Sequence, residues 1–124
     1  MFKTIKKLLG KFEFEIKNES KVKEVRDLFQ DEFGTVMFIY KLTAEGKINT
    51  GRGSRVADDK TNLTEVSCGN KAKGKIVVTK DMTVDDVEHL FANNFGIGIQ
   101  IFERTGQKLA PNEMRLVDVK NMRL

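Results

Sequence analysis

The feature that most constrains this chain is an internal repeat. Residues 14–40 align with residues 76–102 at a constant offset of 62 residues and without a gap. Most of the matching residues are apolar and recur at helical spacing, so the match predicts one structural unit that occurs twice. Seven aligned positions are identical: Val22/Val84, Val25/Val87, Leu28/Leu90, Phe29/Phe91, Phe33/Phe95, Gly34/Gly96 and Ile39/Ile101.

A looser match extends each copy beyond this aligned region. At an offset of 53 residues, the apolar residues that correspond are Val56-Ala57, Leu63 and Val66 in copy one and Leu109-Ala110, Leu116 and Val119 in copy two. The change of offset means that copy one carries nine extra residues between Tyr40 and Val56.

Each copy has the pattern of a strand, a helix and a second strand. Phe12, Phe14 and Ile16 alternate with charged residues, which is typical of a half-buried strand. Apolar residues at helical spacing predict helices over Val22–Phe33 and Val84–Phe95. The predicted segments that follow are strands over 36–41 and 98–103, and a short strand with one helical turn near 56–66 and 109–119.

Both helices have candidate caps. Ser20 can cap the first helix, and Thr83 with Asp86 three residues later forms a capping-box pattern for the second. Gly34 and Gly96 stand where a left-handed residue closes a helix, a conformation that glycine adopts without strain. We therefore predict a positive φ at both glycines.

The order of these elements resembles the ubiquitin-like β-grasp, here duplicated. The residues that carry the resemblance in copy two are Ile76, Thr83-Val84-x-Asp86-Val87, Phe95-Gly96-Ile97, Ile99 to Phe102, Gly106-Gln107-Lys108-Leu109 and Leu116-Val117-Asp118. The resemblance covers roughly 45 residues of each copy and implies an α+β fold. The doubled Phe-Gly pattern also resembles that of small uncharacterised bacterial proteins, which implies nothing about function.

A ferredoxin-like fold is the alternative, because it also contains a strand–helix–strand unit twice. In that fold the two copies would share strands in one sheet. The N-terminal segment has Phe2, Ile5, Leu8 and Leu9 at helical spacing, so we expect it to make a poor first strand.

The chain has 124 residues, a usual size for one domain, and lacks a proline- or serine-rich linker. We expect one compact, pseudo-symmetric domain. Its segments are a basic N-terminal segment (1–11), the first repeat (12–68), a basic linker (69–75) and the second repeat (76–124).

The cysteine content and hydropathy point to the cytoplasm. Cys68 is the only cysteine, which fits a reducing compartment. No apolar run approaches the ~18 residues that cross a membrane, and the lysine-containing N-terminus does not resemble a signal peptide. The sequence carries no signal for an oligomeric state.

Residues for catalysis are scarce, so we expect a protein that is not an enzyme and has neither cofactor nor metal site. His89 is the only histidine and lies off the apolar stripe of its helix, and Cys68 reads as a packing residue. Residues 69–75 match the first seven positions of a phosphate-binding P-loop. However, Ile76 replaces the serine or threonine that would hold magnesium, and a strand follows instead of a helix.

A protein-binding or adaptor module is the function that the sequence favours. If Met37 and Ile39 face the helices, alternation sends Val36, Phe38 and Tyr40 to the opposite side of the sheet. An apolar patch on an open sheet is typical of a contact surface. The predicted interface residues are Phe38, Tyr40, Val77 and Phe102.

Nucleic-acid binding is the alternative function. The formal net charge is only +4, but basic residues concentrate in segments 1–11, 47–55 and 69–80. Arginines interleaved with glycines in Gly51-Arg52-Gly53-Ser54-Arg55 could follow a phosphate backbone. The candidate contacts are Lys6, Lys7, Arg52, Arg55, Lys71, Lys73 and Lys75.

Overall fold

The computed structural model describes residues 4–8 and 11–123, and for residues 4–8 it describes the backbone. The chain is α+β, and a strand–helix–strand unit occurs twice, as the repeat predicts. Both long helices have their predicted bounds, because their apolar side chains bury one face of each. The elements are β1 (Thr4–Leu8), β2 (Lys11–Ile16), α1 (Val22–Phe33), β3 (Val36–Ile39), a 3₁₀ turn (Leu63–Val66), β4 (Gly74–Thr79), α2 (Val84–Phe95), β5 (Ile99–Phe102) and α3 (Leu116–Val119).

The repeat strands pair between the two copies. One antiparallel sheet has the order β1-β2-β4, and a smaller antiparallel sheet contains β3 and β5. Phe14 lies opposite Ile76 in the β2–β4 ladder, and Phe38 lies opposite Gln100 in the β3–β5 ladder. Each of these residues faces its own equivalent, 62 positions away. A pseudo-twofold axis therefore passes through both ladders.

Backbone contacts confirm the looser part of the repeat. The equivalent contacts are the isolated bridges Tyr40↔Val56 and Phe102↔Leu109, and the hydrogen bonds from Val22 N–H to Thr61 O and from Val84 N–H to Met114 O. The predicted short third strands are reduced to these single bridges. The extra residues of copy one lie in a long loop (residues 42–54), where copy two has a short turn (residues 104–107).

One hydrophobic core joins the two copies. The aromatic rings of the equivalent residues Phe29 and Phe91 meet edge to face, with centroids 5.9 Å apart. Phe14 packs on Phe29 at 6.4 Å, and Phe95 packs on Phe91 at 6.1 Å. Because the buried apolar residues of both copies form a single cluster, the copies are halves of one body.

The helix caps differ between the copies. Thr83 Oγ1 accepts a hydrogen bond from Asp86 N–H, and Asp86 Oδ2 accepts one from Thr83 N–H, both at 3.1 Å, so the predicted capping box is confirmed. The predicted Ser20 cap is wrong, because α1 begins after Lys21. Ser20 Oγ instead accepts a hydrogen bond from Lys17 N–H at 2.9 Å and closes the turn that precedes the helix.

The N-terminal segment is a strand, contrary to the expectation from its helical spacing. β1 pairs antiparallel with β2, and Lys6 lies opposite Glu13. Phe2 and Leu9, which contributed to the helical spacing, lie outside the described residues. The edge of β2 offers unpaired backbone groups over its whole length, and pairing with them outweighs a weak helical pattern.

The ferredoxin-like alternative does not describe the strand arrangement. That alternative requires the four repeat strands to share one sheet, whereas β2 and β4 lie in one sheet and β3 and β5 in the other. The alternation of apolar residues shows which face of a strand is buried, but it does not show which strand is the neighbour.

Gly34 and Gly96 close their helices with φ of 64° and 66°, as predicted. We expect Gly34→Ala and Gly96→Ala both to lower the free energy of unfolding, since a left-handed alanine costs ~1–2 kcal/mol. Gly96→Ala should be the more damaging. Its Cβ would overlap the backbone carbonyl oxygen of Cys68, whereas a Cβ at Gly34 would make a less severe contact, 3.1 Å from the Lys120 Cβ.

Urea unfolding of the two variants checks this prediction, and Gly34→Ala serves as the control that has the same conformational cost without an overlap with the backbone. Equal losses of stability in the two variants would contradict the close packing of Cys68 on Gly96.

Candidate protein-interaction surface on the smaller sheet

The smaller sheet has one face that points away from the core. Val36 and Phe38 of β3 pair directly with Phe102 and Gln100 of β5. Directly paired residues have side chains on the same face of a sheet. The residues that alternate with them are buried, so these four side chains lie on the other side.

Two exposed hydrophobic side chains extend this face at its ends. Isolated bridges place Val56 beside Tyr40 and Leu109 beside Phe102. Val56 is 49% exposed and its equivalent Leu109 is 46% exposed. Among the described residues, Val77 is the one other large hydrophobic residue exposed to this degree. We name this surface the outer face, formed by Val36, Phe38, Tyr40, Val56, Gln100, Phe102 and Leu109.

An aromatic pair and an arginine occupy the middle of the outer face. Phe38 and Phe102 are half-buried, and their rings meet edge to face at 5.0 Å. The guanidinium carbon of Arg26 lies 5.1 Å from the Phe38 ring centre. Arg26 is held there by hydrogen bonds of 2.7 Å to Met37 O and to the Asp59 carboxylate. Arg26 thus places a fixed positive charge beside the aromatic pair.

Glu88 occupies the position in copy two that Arg26 holds in copy one. Burial raises the pKa of Glu88, and the charge of Asp85 raises it further, against the opposing effect of a backbone hydrogen bond. Burial also raises the pKa of Tyr40, with a smaller contribution from Glu88, and the Tyr40 hydroxyl donates to Gln100 Oε1 at 2.5 Å. The two equivalent sites thus carry opposite chemistry, a cation in one and a carboxyl group in the other.

The long loop covers one end of the smaller sheet. A Cβ at Gly98 would lie 2.7 Å from Ile48 Cγ2 and 2.9 Å from Thr50 Cγ2, so the loop approaches the strand closely. Gly98 is the residue opposite Tyr40, whose N–H donates to Gly98 O at 3.0 Å. Tyr40 is accordingly only 7% exposed, less than Phe38. The loop leaves the Phe38–Phe102 pair uncovered in part.

The short turn of copy two is organised by a buried acid that our sequence analysis missed. Glu103 is 1% exposed, and its carboxylate accepts hydrogen bonds of 2.7 Å from the N–H groups of Thr105, Gln107 and Lys108. Burial alone would raise the pKa of Glu103, but hydrogen bonds from the Thr105 hydroxyl and from these N–H groups outweigh it and lower the pKa to about 2. An acid just before a Thr-Gly turn is a sequence signal for such self-capping.

The structure brings together three of the four predicted interface residues. Phe38, Tyr40 and Phe102 all belong to the outer face. Val77 lies on β4 in the larger sheet, opposite Glu13. Strands of both sheets show the same alternation of apolar residues. Alternation therefore predicts that a side chain points away from the core, but it does not predict to which sheet that side chain belongs.

The predicted nucleic-acid contacts occupy separate parts of the fold. They are Lys6 and Lys7 in β1, Arg52 and Arg55 in or beside the long loop, and Lys71, Lys73 and Lys75 before and within β4. The side chains of Lys6 and Lys7 lie outside the described residues. The long loop packs on the smaller sheet, whereas Lys75 lies on the larger sheet opposite Glu15. The predicted basic contacts therefore do not form one continuous basic surface, and Glu15 lies beside Lys75.

The described residues were also compared with what a membrane span and a metal site require. Across the described ranges, no helix has the length and apolar character needed to cross a membrane. Within the same ranges, no three His, Cys, Asp or Glu side chains are grouped so that they could hold a metal ion.

The Glu103 turn has a predicted pH signature. A carboxylate whose pKa is lowered on folding stabilises the protein above its unfolded pKa and loses that effect as pH falls toward the folded value. We expect Glu103→Gln to lower the melting temperature by several degrees at pH 7, because a side-chain amide would face backbone N–H donors. The difference should shrink between the ordinary value of 4.5 and about 2.

Thermal unfolding monitored by circular dichroism across this pH range tests the prediction, with Glu113→Gln at an exposed position as the control. A loss of stability that stays constant with pH would contradict the role of the Glu103 charge.

Comparison with known proteins gives no relative from which a function could be transferred. No protein-family model matches the chain, and neither the curated proteins nor the solved structures contain a match. The outer face is therefore interpreted from its own geometry and chemistry.

Proposed function

We propose that this protein is a non-enzymatic binding module that contacts a partner protein through the outer face. The observation that carries the proposal is a pair of exposed hydrophobic side chains, Val56 (49%) and Leu109 (46%), at the two ends of the sheet face whose middle holds the Phe38–Phe102 pair. Apolar side chains that are exposed to water on one face favour burial against another molecule.

The composition of the outer face supports a protein as that molecule. Protein interfaces are enriched in aromatic residues and arginine at their centres and have a polar rim. Phe38, Phe102 and Arg26 supply the first of these features. The Tyr40 hydroxyl already donates to Gln100 Oε1, so a partner could cover this hydroxyl without leaving its donor unpaired.

Nucleic-acid binding has less support as a function. Phosphate binding requires cations that converge on one surface. Lys75 lies opposite Glu15 on the larger sheet, and Arg55 borders a cleft that Glu65 also lines.

We further propose that each copy is a variant of the ubiquitin-like β-grasp and that the protein acts in the cytoplasm. The order of strand, helix, strand and helical turn in each copy supports the first proposal. The single cysteine supports the second.

Affinity purification from the native host after chemical cross-linking tests the binding proposal. The double variant Val56→Asp/Leu109→Asp places two charges on the outer face, at positions that are about half exposed to solvent. We expect recovery of the partner to fall about tenfold or more, because burying an unpaired charge in an interface is costly.

The matched control is Asn93→Asp/Asn94→Asp, which adds the same charge to exposed positions of α2. Partner recovery should persist in this control, and the melting temperature of both double variants should stay close to that of the wild type. Recovery of the same proteins at the same yield with Val56→Asp/Leu109→Asp would refute the proposal.

A further inference from the structure

The larger sheet has an open edge at β4, which is seen when β4 is compared with its equivalent strand β2. β2 is flanked on both sides, by β1 and by β4, whereas among the described residues its equivalent β4 has a neighbour on one side only. Residues 66–70 are the positions equivalent to β1. They form no strand, because Cys68 N–H donates to Gly96 O and Ser67 Oγ donates to Phe95 O, both at 2.7 Å. The chain is thus tied to the end of α2.

The backbone of β4 is oriented so that alternate residues present their polar groups at this edge. Thr79 N–H donates to Met82 Sδ at 3.3 Å and Thr79 O accepts from Met82 N–H at 3.1 Å, so Thr79 points away from β2. Alternation along a strand gives Lys75 and Val77 the same direction. Their N–H and C=O groups therefore face the open edge, and no hydrogen bond within the described residues fills it.

The side chains at the open edge are basic and apolar. Val77 is 41% exposed and Lys75 is exposed beside it. Residues 69–80 contain Lys71, Lys73, Lys75 and Lys80 and no acid. An extended segment placed against β4 would therefore meet Lys75 and Val77, with further lysines just before and after the strand and with Glu13 and Glu15 one strand away on β2.

The pairing of β1 with β2 in copy one is a similar arrangement with the charges reversed. In copy one, the positions equivalent to Lys75 and Val77 are Glu13 and Glu15. The strand that pairs with this acidic sequence is the lysine-containing β1, with Lys6 opposite Glu13. Opposite charges on neighbouring strands stabilise a sheet, and like charges destabilise it.

We propose that the open edge of β4 binds an extended, acidic segment of a partner protein, which adds to the larger sheet as a further strand. Backbone hydrogen bonds to Lys75 and Val77 provide the affinity, and the lysines select glutamate or aspartate. A second copy of this chain is a poorer occupant, since pairing β4 with β4 would bring the lysines of both copies together. The site lies on a different sheet from the outer face and is independent of it.

Amide hydrogen exchange of the free protein gives the first test. The amides of Lys75 and Val77 should exchange much faster than those of Ile76 and Val78, which point into the β2–β4 ladder. Equal protection of all four amides would show that the edge is already covered and would overturn the proposal.

Titration with synthetic peptides gives the second test. The probe is a peptide of about ten residues in which glutamate and valine alternate, long enough to cover one strand. It should shift the NMR signals of Lys75 and Val77, and its affinity should fall as salt is added. Replacing its glutamates by lysine, or methylating alternate backbone nitrogens, should weaken binding about tenfold or more.

Protein variants separate the two sources of affinity. Val77→Pro removes an N–H that points away from β2, a position where an edge strand accepts proline. It should weaken peptide binding by about tenfold or more, whereas the control Val77→Thr should not. Lys71→Glu/Lys73→Glu leaves Lys75 opposite Glu15 and should reverse the preference, so that the lysine peptide binds better than the glutamate peptide.

Three outcomes would overturn the proposal. These are the absence of signal shifts at Lys75 and Val77, affinity that ignores the charge of the peptide, and dimerisation of the free protein through β4. The outer-face variant Val56→Asp/Leu109→Asp should bind the glutamate peptide as the wild type does. Loss of the partner in host purification tests the outer face, and loss of peptide binding tests the β4 edge. The two proposals can therefore fail separately.

Discussion

The pairing of each repeat strand with its own equivalent is the interaction on which this structure depends. A strand exposes unpaired N–H and C=O groups along both edges, and the strands that flank each helix do not satisfy one another. The second copy supplies the missing partners. This brings Phe14 opposite Ile76 and Phe38 opposite Gln100, and it directs Phe29 and Phe91 into one core. Neither copy has a complete sheet or a complete core without the other.

The two copies have diverged where the shared axis imposes the least constraint. The long loop of copy one lies on Gly98, while the short turn of copy two closes around the Glu103 carboxylate. Arg26 and Glu88 hold equivalent positions with opposite charge. Core residues are alike in the two copies because they pack together in one core. Surface residues are constrained only by their own local contacts, so they can differ.

The sequence was sufficient to predict the helices, both glycine caps and the repeated unit, because each depends on residues close together in the chain. Val84–Phe95, for example, combines an apolar stripe with a capping box and a closing glycine. It was insufficient for the strand partners, since alternation along β2 is the same whichever strand lies beside it. The same limit explains why Val77 was grouped with Phe38. The burial of Tyr40 and Glu103 depends on loops whose paths have no periodic signal.

The ladder between β2 and β4 has a consequence for synthesis of the protein. Ile76, the pairing residue of Phe14, is translated 62 residues later, and the same interval separates Phe38 from Gln100. Copy one therefore emerges from the ribosome with its apolar strand faces uncovered and cannot fold in the stepwise manner usual for an N-terminal unit. Most of the contacts that define the fold are distant in sequence, which slows folding. The nascent chain must stay soluble until copy two is made, and the charged residues that alternate with the apolar residues of β2 provide that solubility.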